Sequence, residues 1–182
     1  MTDLADRYRR HATRFAEKVA AVPADRWEAP TPCEDWTARD LVEHVIASQG
    51  MFEGLVGRTI EPGPAVGVDP EGAVTAAFDQ IQAHLEDPAT ADEEFDGFFG
   101  RTTFAAAVDR FLTFDLIVHG WDLARAAGLD DSIAPDEIPR LVEAVEAFGP
   151  AMRSPGAIGP PLDPPPGADA QATLIALLGR HP

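Results

Sequence analysis

The sequence is poor in cysteine and in positive charge. Cys33 is the single cysteine, so no intramolecular disulfide can form. That usage fits a reducing, cytoplasmic setting. Fourteen basic residues face 31 acidic ones, and the net charge is −17. Nucleic-acid binding is excluded on this ground, because phosphate neutralisation needs clustered Lys and Arg. An anionic lipid surface is excluded for the same reason. No stretch approaches the roughly 18–20 uninterrupted apolar residues of a membrane span. The N-terminus is charged and lacks the apolar core of a signal peptide. No internal repeat and no strand-like alternation stands out.

What is present is apolar periodicity punctuated by proline. The 182 residues, 45% of them apolar, suit a single domain with a sizeable core. Leu4, Tyr8, Ala12, Phe15 and Val19 predict a helix over 3–22, with His11 on its polar, exposed surface. Pro23, Pro30 and Pro32 stiffen the connection 23–36, with Trp27 and Trp36 as anchors. Thr37 and Asp40 form a capping box for a helix over 38–57. Its inner face carries Leu41, Val45, Phe52, Leu55 and Val56, with His44 on the flank. Asp69-Pro70 opens a third helix to about 87, with His84 at its rim. The acidic run 87–96 reads as a solvated loop, followed by Phe98-Phe99 as a plug of the bundle end or a pocket mouth. A fourth helix runs from Thr102 or Thr103 to Ala127, closed by Gly128. A fifth ends near Phe148. Residues 149–167 hold seven prolines and four glycines, a long irregular segment that reads as a functional loop or lid. A short helix over 168–179 follows. The expected fold is all-α: a four-helix bundle over 1–129 with 130–182 packed on it as an extension of the same domain.

The fourth helix carries an anomaly. Asp115 and His119, at i and i+4, share a face with Phe104, Val108, Phe111 and Ala126. A carboxylate on an apolar stripe needs a partner, because burying it alone costs several kcal/mol. Bundles build metal sites from inward side chains on facing helices, and His44 on the second helix can complete a set of two imidazoles and a carboxylate. That set suits Zn²⁺, Ni²⁺ or Fe²⁺ and leaves a coordination position open. A buried Asp–His hydrogen bond without metal is the rival reading. Asp122 either accepts from a ligating imidazole or pairs with Arg125. Cys33 is either a thiolate near a helix N-terminus or a small buried anchor. Arg153 and Arg180 either receive an anionic substrate or are surface charges.

Three blocks resemble a known family: Thr31-Pro-Cys-Glu-Asp-Trp36-Thr-Ala-Arg-Asp-Leu-Val-Glu-His44-Val, Phe114-Asp-Leu-Ile-Val-His119-Gly-Trp-Asp-Leu-Ala-Arg125-Ala and Leu177-Leu-Gly-Arg180-His-Pro. Together they resemble an actinobacterial metal-binding branch of the DinB-like superfamily, which groups with the N-terminal domain of mycothiol-dependent maleylpyruvate isomerase. The resemblance implies an up-down-down-up four-helix bundle holding a divalent metal, zinc before nickel or iron, through His44, Asp115 and His119. The isomerase pattern has Glu where this chain has Asp115. Relatives with known activity use mycothiol or bacillithiol, so the resemblance implies a thiol S-transferase or isomerase acting on a small electrophile. Asp122, Arg153 and Arg180 are then candidates for pocket roles. The alternative is a non-catalytic metal- or ligand-binding bundle connected with stress. Bundles of this kind often pair, which admits a homodimer, although no patch in the sequence decides it.

Overall fold

The computed structural model describes residues 3–153 and 158–182. It is the all-α, DinB-like arrangement, with one small hairpin added. Helix α1 spans Asp3–Ala21, α2 Ala38–Leu55 and α3 Pro70–Glu86. Helix α1 packs against α3 and against the helix Phe114–Ala127 (α6), and α2 packs against the same two, so α1 and α2 lie diagonally across the bundle. The starts follow the sequence closely. Thr37 Oγ1 accepts from Asp40 N while Asp40 accepts from Thr37 N, a complete capping box. Asp69 caps α3 ahead of Pro70. One position expected to face inward does otherwise: Leu55 is half exposed, while Val56, the cap residue of α2, packs against the core.

Between α3 and the fourth bundle helix the acidic run is structured. Pro88–Ala91 forms a short helix, α4. Glu94–Gly97 (β1) then pairs antiparallel with Gly100–Thr103 (β2). A short helix and a hairpin strand thus stand where the acidic run predicts a solvated loop. Strands of four residues, each with a glycine at the turn end and one with Glu and Asp, are too short to show the alternation that marks a strand. Phe98 and Phe99 form the turn.

The fourth bundle helix opens at Thr103, whose hydroxyl accepts from Ala106 N. It is not uniform. After α5 (Phe104–Ala107) come six π-helical residues, Val108–Thr113, and then α6 (Phe114–Ala127). A π turn takes more residues per turn, so the 100° phase assumed across the whole stretch slips before Asp115. Every residue of α6 is buried except Asp115 and Arg125. The helix is central because it serves two apolar clusters. Leu116, Leu123 and Ala126 belong to the bundle core. Phe114, Ile117, Val118 and Trp121 belong to a second cluster with α7 (Glu137–Phe148) and α8 (Ala170–Leu177). Gly128, at φ 71°, closes α6 in the left-handed conformation.

His11 is buried, not exposed. Its Nε2 meets Glu137 Oε1 at 2.9 Å, and Arg7 donates to the same carboxylate and to Asp109 Oδ1. This network joins α1, the π turn and the start of α7. The sequence reading missed it because Glu137 lies 126 residues away from His11. The Pro-rich stretch runs from a single 3₁₀ turn, Gly149–Met152, to irregular backbone leading into α8. Its residues 154–157 lie outside the described residues. Gly159 and Gly179 touch backbone to backbone, and a Cβ on Gly179 would stand 2.7 Å from Gly159 Cα.

Candidate metal centre

The chain enters the site through the 29–39 loop. Hydrogen bonds from Ala38 N to Ala29 O and from Arg39 N to Trp27 O close the loop, and Thr31 N donates to Trp36 O inside it. Asp35 takes φ 67°, a conformation Asp tolerates. The result places Trp36 on His44, ring centroids 4.5 Å apart, and brings Cys33 beside α6. Neither contact was legible in the sequence beyond the presence of an aromatic and a thiol in a stiff loop.

His44 comes from α2, and Asp115 and His119 from the first turns of α6. His119 Nε2 stands 3.3 Å from Asp115 Oδ1, and His44 Nε2 stands 3.6 Å from Asp115 Oδ2. Donor atoms of all three lie within 4.8 Å of one another. In a tetrahedral site with bonds of ~2.0–2.1 Å, ligand atoms sit ~3.3–3.4 Å apart. The two Asp115 contacts lie close to that spacing, and the three residues together could hold a small divalent ion. Ser48 Oγ lies 3.4 Å from the same His44 nitrogen.

Behind His119 stands an ordered chain of charge. His119 Nδ1 meets Asp122 Oδ2 at 2.9 Å. Arg180 donates from Nε to Asp122 Oδ1 and from Nη2 to Oδ2, at 2.6 and 2.7 Å. Cys33 Sγ donates to Asp122 Oδ2 at 3.3 Å. Asp122 therefore takes the partner-of-imidazole role; Arg125 pairs with Asp131 instead. Cys33, His119 and Asp122 also form a metal-like triad. Arg180 Nη2 lies within 3.4 Å of the Cys33 sulfur and bonds Asp122 as well, so a guanidinium already fills that place and repels a cation.

Electrostatics follow the contacts. Burial opposes charge on Asp115, but the His119 imidazole and then His44 overcome it and hold the carboxyl well below its usual range. Burial likewise disfavours charge on His119, and Asp115 and Asp122 outweigh it and raise the ring. Asp122 is lowered against its own burial by His119 and Arg180. With His119 Nδ1 carrying its proton toward Asp122, Nε2 is the nitrogen left to face Asp115 and His44.

A cavity of about 250 Å³ opens from these groups. His44, Ser48, Asp115, His119 and Arg180 form its polar end, and phenylalanines, methionines and aliphatic residues form the rest. Arg153 is not among the lining. Its guanidinium donates to Gly159 O and Leu177 O, tying the extension together. A more open groove of about 650 Å³ beside Arg14, Glu17 and Lys18 contains none of the candidate ligands. Among the described residues no helix is long and apolar enough to cross a membrane.

Two proteins of Mycobacterium tuberculosis, from different strains and both described as uncharacterized, are 33% identical to this chain over 159 residues. Each match covers 82% of this chain and 81% of the relative. No solved structure matches the chain significantly. The family model for the mycothiol maleylpyruvate isomerase N-terminal domain matches residues 8–124. That span holds His44, Asp115, His119 and Asp122 and stops short of Arg180. The chain belongs to the mycothiol maleylpyruvate isomerase N-terminal domain family.

Proposed function

We propose that the protein is a metal-dependent thiol S-transferase, using a mycothiol-type cofactor on a small electrophile. The observation that carries the reading is the convergence of His44, Asp115 and His119 at one end of an otherwise apolar cavity. His44, Asp115 and His119 would hold a divalent ion, zinc first by ligand type, and such an ion would supply Lewis acidity that lowers the pKa of a cofactor thiol.

The protein's own groups do the rest. His44 and His119 present Nε2, and Asp115 supplies the one anionic donor. Asp122 fixes the His119 tautomer, and Arg180 fixes Asp122. Trp36 covers His44 from the outer side, and the phenylalanine walls keep water from the sulfur. In the transfer the thiol proton passes to solvent, the sulfur forms a bond to the electrophilic carbon, and the leaving group departs with that carbon's bonding pair.

Among the described residues, the titratable side chains lining the cavity are His44, Asp115, His119 and Arg180, and each is already engaged. None is left as a general acid or base, which favours S-transfer over isomerisation. The same fact supports the second reading, a metal- or ligand-binding bundle without turnover.

Elemental analysis of the purified protein should find one divalent ion per chain, and His119→Ala should lose it. Chelator should lower the melting temperature of the wild type. Mycothiol and a generic electrophile such as a chlorodinitrobenzene should then give metal-dependent conjugation. A metal-free wild type whose melting temperature ignores chelator sinks the proposal. Stoichiometric metal with no conjugation selects the binding module.

A further inference from the structure

We infer that the cavity takes a compact, uncharged, largely apolar substrate and discriminates against carboxylates. The inference rests on the S-transfer reading and names its substrate class. Phe52, Phe111, Phe114 and Phe148 form the walls, with Met51 and Met152 beside them. Phe111 and Phe148 stack at 5.3 Å with only 12° between their planes, and Phe114 meets Phe148 edge-on at 5.3 Å. Phe99, at the hairpin tip, stacks on both Phe111 and Phe148 at 5.9 Å and backs the wall from outside. Such surfaces suit a flat apolar body, and the flexible methionines adapt to its outline. Met51 is 59% exposed, which puts the mouth at its side chain. At about 250 Å³ the cavity lies below the ~300–1,000 Å³ usual for ligand pockets, so the body is small.

Among the described residues no uncommitted Lys or Arg lines the cavity. Arg180 is the one basic side chain among the described lining apart from the two histidines, and both of its donor edges to Asp122 are taken. Arg153 is spent on carbonyls. Arg110 sits over the outer face of the stack, 4.4 Å from the Phe99 centroid, and lines a different surface hollow with Arg7 and Arg140. Residues 154–157 are Ser-Pro-Gly-Ala and bring no charge. Asp115 together with a thiolate balances a divalent ion, so the loaded site keeps no net positive charge. A carboxylate entering the apolar part would lose its hydration without compensation.

The test uses methyl 3-phenylpropanoate and 3-phenylpropanoate, which differ in charge and by one methyl group and offer no activated alkene to a thiol. Equilibrium dialysis against the protein as purified and saturated with a simple alkanethiol, so that a thiolate and not the carboxylate would meet the ion, should show the ester binding roughly tenfold or more tightly. Phe148→Ala should weaken the ester several-fold. Met51→Lys, at the exposed mouth, should narrow the ratio by attracting the anion. Equal or tighter binding of the anion overturns the inference, as does an ester affinity that ignores Phe148→Ala. Only binding is read, with no turnover. Ester binding without any S-transfer therefore keeps this inference and retires the enzymatic reading. S-transfer with a preference for carboxylate substrates retires this inference alone.

Discussion

Arg180 grips both carboxylate oxygens of Asp122, from Nε at 2.6 Å and from Nη2 at 2.7 Å. Through that carboxylate, the last residues of the chain orient an imidazole of the bundle. The pairing spans 58 residues and is almost fully buried. It makes the C-terminal extension part of the site without giving it a ligand.

Asp122→Asn keeps the shape but removes the charge that orients His119. Metal affinity, measured by competition with a chromophoric chelator, should fall about 10–100-fold. Arg180→Met should destabilise the fold by about 3–5 kcal/mol, read from the denaturant midpoint, because it strands the Asp122 carboxylate. An Asp122→Asn protein with wild-type metal affinity would remove the orienting role.

Acid should loosen the joint between α1 and α7. Burial alone would raise Glu137, but hydrogen bonds from Arg7 and His11 bring its carboxyl down to about 2 from the ordinary 4.5. A depressed carboxylate stabilises the fold above its unfolded value. Its contribution is full above about pH 4.5 and is lost as pH falls from there toward 2. Glu137→Gln should flatten this acid limb and cost about 3–5 kcal/mol at neutral pH. Urea titrations at stepped pH check both.

Gly179 precedes Arg180 at φ 78° and leaves no room for a side chain against Gly159 and Pro160. Gly179→Ala should cost at least about 1–3 kcal/mol for the left-handed backbone alone. The clash should also shift Arg180, so metal affinity should drop with stability. Stability lost with metal affinity unchanged would show that Arg180 keeps its grip regardless.

Tyr8 donates its hydroxyl to Gln49 Oε1 at 2.8 Å inside the bundle. Tyr8→Phe leaves that oxygen buried and unpaired and should lower stability by about 1–3 kcal/mol. Thermal or chemical denaturation reads it directly.

Helix starts at Thr37, Asp69 and Thr103, the stop at Gly128, and most core positions were set by local rules, because capping and amphipathic period act within a few residues. The meeting of His44 with Asp115 and His119 was legible for a related reason. A carboxylate and imidazoles on inward faces must find one another or pay for their burial. Tertiary structure alone decided the rest. It buried His11 against Glu137, gave Asp122 to His119 and Arg180 rather than to Arg125, folded the acidic run into a short helix and a hairpin strand, and slipped the helix phase with a π turn. These depend on groups brought together from across the chain, or on a backbone register that packing imposes. No local pattern encodes which distant charge a given charge will find.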